Sequence, residues 1–133
     1  MNNGKVIKMR ENIGGILDRQ TADELMETFK KRFVISDYDP KSQKVSRLLW
    51  CSLSCEVRTM PLDELKSIQL SPDTLVYCYN ERSREMCGTT FGQICEFISE
   101  LEPWEETDIE IFDLSFKWFI AVTHEDFLIV YGL

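Results

Sequence analysis

The chain has 133 residues, of which 44% are hydrophobic and 29% are charged, and its formal net charge is −8. This length predicts a single domain over residues 1–133, and the acidic balance disfavours nucleic-acid binding, which needs clustered Lys and Arg. The longest apolar runs, at 119–122 and 127–131, are far shorter than the roughly 20 residues that cross a bilayer. The start lacks the apolar core of a secretory signal, so we expect a cytoplasmic protein that does not bind membranes.

The first clear element is a helix that begins near Thr21. Thr21 and Glu24 have the spacing of a capping box, and apolar residues then recur at helical intervals up to Phe33. Beyond it, alternating apolar residues and turn signals define further short elements. The pattern predicts strands at 34–38, 45–57 and 74–79 and a short helix at 61–68.

The second half of the chain contains the clearest pattern. Thr90 and Gln93 form another capping box, and the helix that follows is expected to run to Leu101, before Pro103. Residues 80–88 read as a polar loop. Strands are predicted at 108–112, 116–123 and 126–131, joined by hairpin turns at 113–115 and 124–125. We therefore predict an α+β fold with an antiparallel sheet of four to six strands, two or more helices and a C-terminal three-strand meander.

The cysteine pattern argues against disulfides and metal binding. There are five cysteines, an odd number, and no C-x-x-C motif. A zinc site would need closely spaced Cys and His pairs, whereas the chain has one histidine. We expect free thiols, no metal and no cofactor. The cysteines are Cys51, Cys55, Cys78, Cys87 and Cys95.

The histidine, His124, stands next to Glu125 and Asp126. A histidine beside acids could serve as a general base, as in a small hydrolase. The simpler interpretation is a hairpin turn whose polar side chains bond the local backbone. The chain has no G-x-S-x-G motif and no glycine-rich phosphate loop, so we favour the turn and predict that the protein is not an enzyme.

Charge is distributed very unevenly. Residues 1–60 hold 11 Lys and Arg against 8 Asp and Glu, whereas residues 61–133 hold 4 against 15. Between 96 and 113 there are eight acids and no base. This run is either a solvated face or a surface for a basic protein, with Trp104 as an anchor or as filling between helix and sheet. The predicted interface consists of Glu100, Glu102, Trp104, Glu105, Glu106, Asp108 and Glu110.

The closing segment, FKWFIAVTHEDFLIVYG, resembles the C-terminal end of several small, largely uncharacterised bacterial protein families. The matching residues are Trp118, His124, Asp126, Ile129 and Gly132.

In size, acidity and patterning the whole chain is similar to the immunity proteins of bacterial polymorphic toxin and contact-dependent growth inhibition systems. That resemblance implies a cytoplasmic α+β domain that binds and blocks a toxin domain, often a basic nuclease. The acids would then mimic the phosphates that such a nuclease binds. The alternatives are a cytoplasmic binding module for another partner and, less favoured, the hydrolase using His124.

Overall fold

A sheet of antiparallel strands lies at the centre of the protein. The computed structural model describes residues 15–34, 53, 56–101 and 107–133, and within them seven strands form one sheet. Along the chain the strands are β1 (Gly15–Ile16), β2 (Arg58–Pro61), β3 (Leu75–Asn80), β4 (Glu85–Thr90), β5 (Ile109–Phe112), β6 (Phe119–Val122) and β7 (Phe127–Tyr131). Their order across the sheet is β1-β4-β3-β5-β6-β7-β2. The helices are α1 (Arg19–Phe33), α2 (Phe91–Ser99) and a 3-10 helix (Leu62–Ser67).

Both faces of the sheet are covered. Successive side chains of a strand point to opposite faces, and every residue of β5 and β6 is buried. Cys78, Ile111 and Ile120 lie opposite one another on three neighbouring strands and pack in one hydrophobic cluster with α2 and the 3-10 helix. Phe112 and Phe119 point the other way, into a second cluster with α1. The α+β class is thus confirmed, and β6 lies in the interior of the sheet, between β5 and β7.

Aromatic rings hold α1 against its face of the sheet. Phe29 and Phe33 are both fully buried and one turn apart, with their ring centroids 5.0 Å apart. Phe29 lies 5.2 Å from Phe112, and Phe33 lies 4.7 Å from Phe119, in tilted and edge-on geometries that aromatic pairs favour. Fully burying a Phe side chain contributes about 1.5–3 kcal/mol, so this cluster fixes how α1 crosses the sheet.

The helix starts differ in part from the prediction. Asp18, and not Thr21, is the N-cap of α1: its carboxylate accepts hydrogen bonds from the Thr21 backbone N–H and the Thr21 hydroxyl. The predicted N-cap, Thr21 of the Thr21–Glu24 capping box, was therefore wrong: the helix is capped three residues earlier by Asp18, which is a stronger N-cap residue than Thr. For α2 the predicted cap is confirmed, with the Thr90 hydroxyl accepting from the Gln93 backbone N–H.

The sheet is larger than the predicted four to six strands. The segment 80–88, expected as a polar loop, contains the first four residues of β4. This strand pairs with β3 along its whole length, from Glu85 opposite Asn80 to Thr90 opposite Leu75. This strand, EMCGTT, has few branched or aromatic residues, so local pattern undervalued it; burial of Met86 and Cys87 against the two helical layers stabilises it. Another addition, β1, pairs Ile16 with Cys87.

The remaining elements agree with the prediction to varying extents. The helical segment at 61–68 is the 3-10 helix, and the C-terminal meander β5-β6-β7 is confirmed. Of the strands expected at 34–38 and 45–57, the structure describes only a bridge between Val34 and Leu53, together with residues 56–57, which precede β2. The rest of both segments lies outside the described residues.

The close approach between the turn before β3 and the first turn of α2 explains why residue 92 is a glycine. Gly92, in the first turn of α2, donates its backbone N–H to the Pro72 carbonyl at 2.9 Å. A Cβ at this position would lie 3.0 Å from the Pro72 Cβ and 3.1 Å from its carbonyl oxygen. The missing side chain thus allows the turn before β3 to pack on the start of α2.

Candidate functional site

The residues of the predicted acidic interface lie in different environments. Glu100 is exposed at the C-terminal end of α2. Asp108 and Glu110, however, are 0% and 1% exposed, so the expectation that they form part of a surface was wrong. The physical reason is that Asp108 directly precedes the central strand β5 and Glu110 lies within it, where both faces of the sheet are covered. The other predicted interface residues, Glu102, Trp104, Glu105 and Glu106, lie outside the described residues.

The Asp108 carboxylate joins two turns at one end of the sheet. Its Oδ2 accepts a hydrogen bond from Arg82 Nε at 2.7 Å, in the turn between β3 and β4. Its Oδ1 accepts from the His124 backbone N–H at 3.1 Å and lies 3.0 Å from His124 Nδ1, in the turn between β6 and β7. A buried carboxylate is stabilised when donors surround it in this way, so Asp108 acts as a cross-link between the two turns.

The turn itself was predicted correctly, but the role of the histidine side chain was missed. Thr123 closes the turn, with its carbonyl accepting from the Asp126 backbone N–H and its hydroxyl accepting from Glu125. The half-buried His124 ring contacts the buried carboxylate of Asp108. The pairing of β5 with β6, Ile109 opposite Val122, brings the two residues together. The turn predicted at 113–115 would have placed Ile109 opposite Phe119, so that register was wrong: the connection runs from 113 to 118 and β6 begins at Phe119.

The Asp108–His124 pair also has the two groups needed for acid–base chemistry. A proton on Nδ1 that is donated to the carboxylate makes Nε2 the basic nitrogen of a neutral imidazole. A carboxylate orients histidine in this way in many acid–base sites. Among the described residues, no group of three or more His, Cys, Asp and Glu could hold a metal ion.

Glu110 is a second buried carboxyl group at the same end of the sheet. It lies between Tyr79 and Ala121 on the α1 face, beside the Glu81 carboxyl group. Burial, followed by the negative charge of Glu81, raises the pKa of Glu110 well above its usual range. Burial and the charge of Glu110 in turn raise the pKa of Tyr79 to about 12.

An open groove with an apolar floor lies between the 3-10 helix and α2. Its volume is about 540 Å³, within the usual range for ligand pockets. Leu62 and Leu65 of the 3-10 helix and Cys95 and Ile98 of α2 provide the apolar lining. Both helical segments were predicted from the sequence. Their contact with each other was not, because no local sequence feature specifies which helix faces meet.

Carboxylates predominate around this groove. Asp63 and Asp126 line it and are exposed, and Lys66 is the cation among its lining residues in the described part of the chain. Further exposed acids stand on the elements that form the groove. They are Glu64 on the 3-10 helix, Glu96 and Glu100 on and directly after α2, and Glu125 beside Asp126. We call this set, with Asp63 and Asp126, the acidic rim.

Comparisons with known proteins identify no relative. A scan of protein-family models, a search of curated proteins and a search of solved structures each returned no match to this chain. In the part of the chain that is described, no helix has the length and apolar character needed to cross a membrane.

Proposed function

We propose that this protein is a cytoplasmic immunity protein that binds a basic bacterial toxin domain and neutralises it. The observation that carries the proposal is the acidic rim, a set of exposed carboxylates on the elements that form an apolar groove, of which Asp63 and Asp126 line the groove itself. These elements belong to the half of the chain, residues 61–133, that holds 15 acids and 4 bases. Crowded like charges repel one another, and a cationic partner relieves that repulsion on binding.

The acidic rim replaces part of the interface expected from the sequence. Asp108 and Glu110 are excluded because they are buried, whereas Glu100 is retained because it is exposed. Glu96 is added from the exposed side of α2. The segment 102–106 follows α2 directly in the sequence, so its acids and Trp104 remain candidates for the same interface.

Electrostatics also suggests how binding would block a nuclease. A nuclease surface that binds phosphates is rich in Lys and Arg, and carboxylates can occupy the same positions. Complementary charge raises association rates well above the neutral range of about 10⁵–10⁶ M⁻¹s⁻¹. The buried apolar contact that slows dissociation would come from the groove.

The direct test is protection of bacteria. If the proposal is right, cells that produce the product of the gene directly upstream should die without this protein and survive with it, and the two proteins should co-purify. A matched toxin domain from an unrelated system is the control and should not be neutralised. If the cells die at equal rates with and without the protein, the proposal is wrong.

A second candidate function, acid–base catalysis by His124, is favoured by its contact with the Asp108 carboxylate. In that case the His124→Ala variant would abolish the biological effect while its fold remained intact. Under the immunity proposal the same variant keeps protection, because His124 serves to join two turns.

A further inference from the structure

We infer that the groove between the 3-10 helix and α2 receives an apolar side chain of the basic partner, flanked there by Lys or Arg. The inference rests on the proposed function and narrows its interface to one pocket. The segments that form the groove are the 3-10 helix, α2 and the turn before β7.

The floor of the groove is suited to an apolar group. Leu62 is half-buried, and Leu65, Cys95 and Ile98 are 3%, 8% and 8% exposed, so they form a packed surface that belongs to the α2-side core. An apolar side chain placed on this floor removes apolar surface from water on both molecules. A volume of about 540 Å³ has room for one large side chain and parts of its neighbours.

The rim selects a cationic partner over other occupants. Asp63 and Asp126 line the groove, and both are exposed. Lysine or arginine residues flanking the inserted side chain can pair with these carboxylates. A second copy of this chain carries a net charge of −8 and would bring further acids to the acidic rim, so charge disfavours self-association through this face.

Lys66 makes the charge of the groove asymmetric, which sets the orientation of a charged partner. It is exposed and lines the groove near Cys95, whereas the flanking acids of the groove are Asp63 and Asp126. A partner cation placed beside Lys66 would be repelled, so the partner's bases should face the carboxylates and its polar or acidic groups should face Lys66.

The experiment uses a fluorescent peptide in which one Phe is flanked on both sides by Lys and Arg, with binding followed by anisotropy. The groove is blocked by Ser99→Trp, because Ser99 is exposed and lines it. Thr28→Trp is the matched control, because Thr28 is an exposed residue of α1. In both Thr28 and Ser99 the side-chain hydroxyl donates a hydrogen bond to a backbone carbonyl of its own helix. Melting curves establish that both variants are folded.

We expect Ser99→Trp to weaken peptide binding at least tenfold and Thr28→Trp to change it less than twofold. Replacing the Phe of the peptide with Ala should also weaken binding at least tenfold, since a buried aromatic side chain is lost. Absence of binding to the parent protein, or equal binding by the two Trp variants, overturns the inference.

Other outcomes distinguish this inference from the proposed function. If Glu96→Lys with Glu100→Lys abolishes protection of cells but Ser99→Trp leaves both protection and peptide binding unchanged, the acidic surface operates without the groove and the inference fails alone. If the protein protects no cells, the proposed function fails. If sedimentation shows a dimer that Ser99→Trp dissociates, the occupant is a second copy, which also overturns the inference.

Discussion

Replacing Glu110 with Gln should stabilise the protein, and increasingly so as the pH rises. Glu110 is 1% exposed and lies beside the Glu81 carboxyl group. Burial and the charge of Glu81 raise its pKa well above the usual range, so the folded state favours the protonated acid. An amide has a similar shape and carries no charge at any pH.

The sign of the pH dependence follows from proton linkage. The unfolded carboxyl group titrates near pH 4.3, whereas the folded one keeps its proton to higher pH. The folded state therefore binds more protons, and stability is lost as the pH rises from about 4.3 towards the raised pKa. In Glu110→Gln this loss is absent, so the difference between variant and parent should be small near pH 4 and largest above neutrality.

Each pKa unit between the folded and the unfolded carboxyl group corresponds to about 1.4 kcal/mol of stability that the parent loses at high pH and Glu110→Gln keeps. For a domain of this size, each kcal/mol shifts the melting temperature by about 4 °C, so the variant should melt several degrees above the parent at pH 8. Melting curves from pH 4 to pH 8 provide the measurement, with Glu100→Gln as an exposed control that should melt like the parent. Parallel curves for Glu110→Gln and the parent at every pH would refute the reasoning.

Three further results are expected. His124→Ala should cost about 1–3 kcal/mol in a denaturant titration, because the buried Asp108 carboxylate loses the Nδ1 contact, and it should keep protection of cells; a hundredfold loss of protection in a folded variant would instead support catalysis. Gly92→Ala should lower the melting temperature by an amount equivalent to about 1–3 kcal/mol, since its Cβ would meet Pro72 at 3.0 Å, and unchanged melting would show that the contact is loose. Thiol titration of the denatured protein without reductant should count five thiols, including the free Cys78, Cys87 and Cys95; a count of three or one would contradict the cytoplasmic proposal.

The parts of the fold with strong periodic patterns could be predicted from the sequence. The α1 and α2 periodicities gave the right faces, and the meander from β5 to β7 was expected because turn residues separate its apolar runs. The strand β4 was missed, since Glu85 and Gly88 give it little intrinsic strand preference. Its strand state depends on pairing with β3 and β1, which is tertiary information.

The candidate site was harder to predict, because charge says nothing by itself about burial. Asp108 and Glu110 belong to an acid run, and their position at the start of a central strand decides that they are interior. The alternation of acidic and apolar residues in the sequence DIEIF typically marks a half-exposed strand, and the packing of α1 on the other face overrides that expectation. The apolar groove depends on the docking of two helices that are about thirty residues apart in the chain.

The acidic rim forms the centre of the proposal, and the kinetics of binding to the toxin domain test it most directly. The informative variant is Glu96→Lys with Glu100→Lys, and the matched control is Glu24→Lys with Glu27→Lys, which makes the same charge change on the exposed side of α1. Surface plasmon resonance at several salt concentrations gives the association rates, and melting curves show that each variant is folded.

We predict that the α2 variant associates much more slowly than the α1 control at low salt. The gap should close as salt rises, because exposed charges separated by more than about 8–10 Å are screened. Reversing Glu102, Glu105 and Glu106 to Lys should act in the same way, and Trp104→Ala should mainly speed dissociation with little salt dependence. If the folded α2 variant binds as fast as the parent at every salt concentration, the acidic rim is not the interface and the proposed site is wrong.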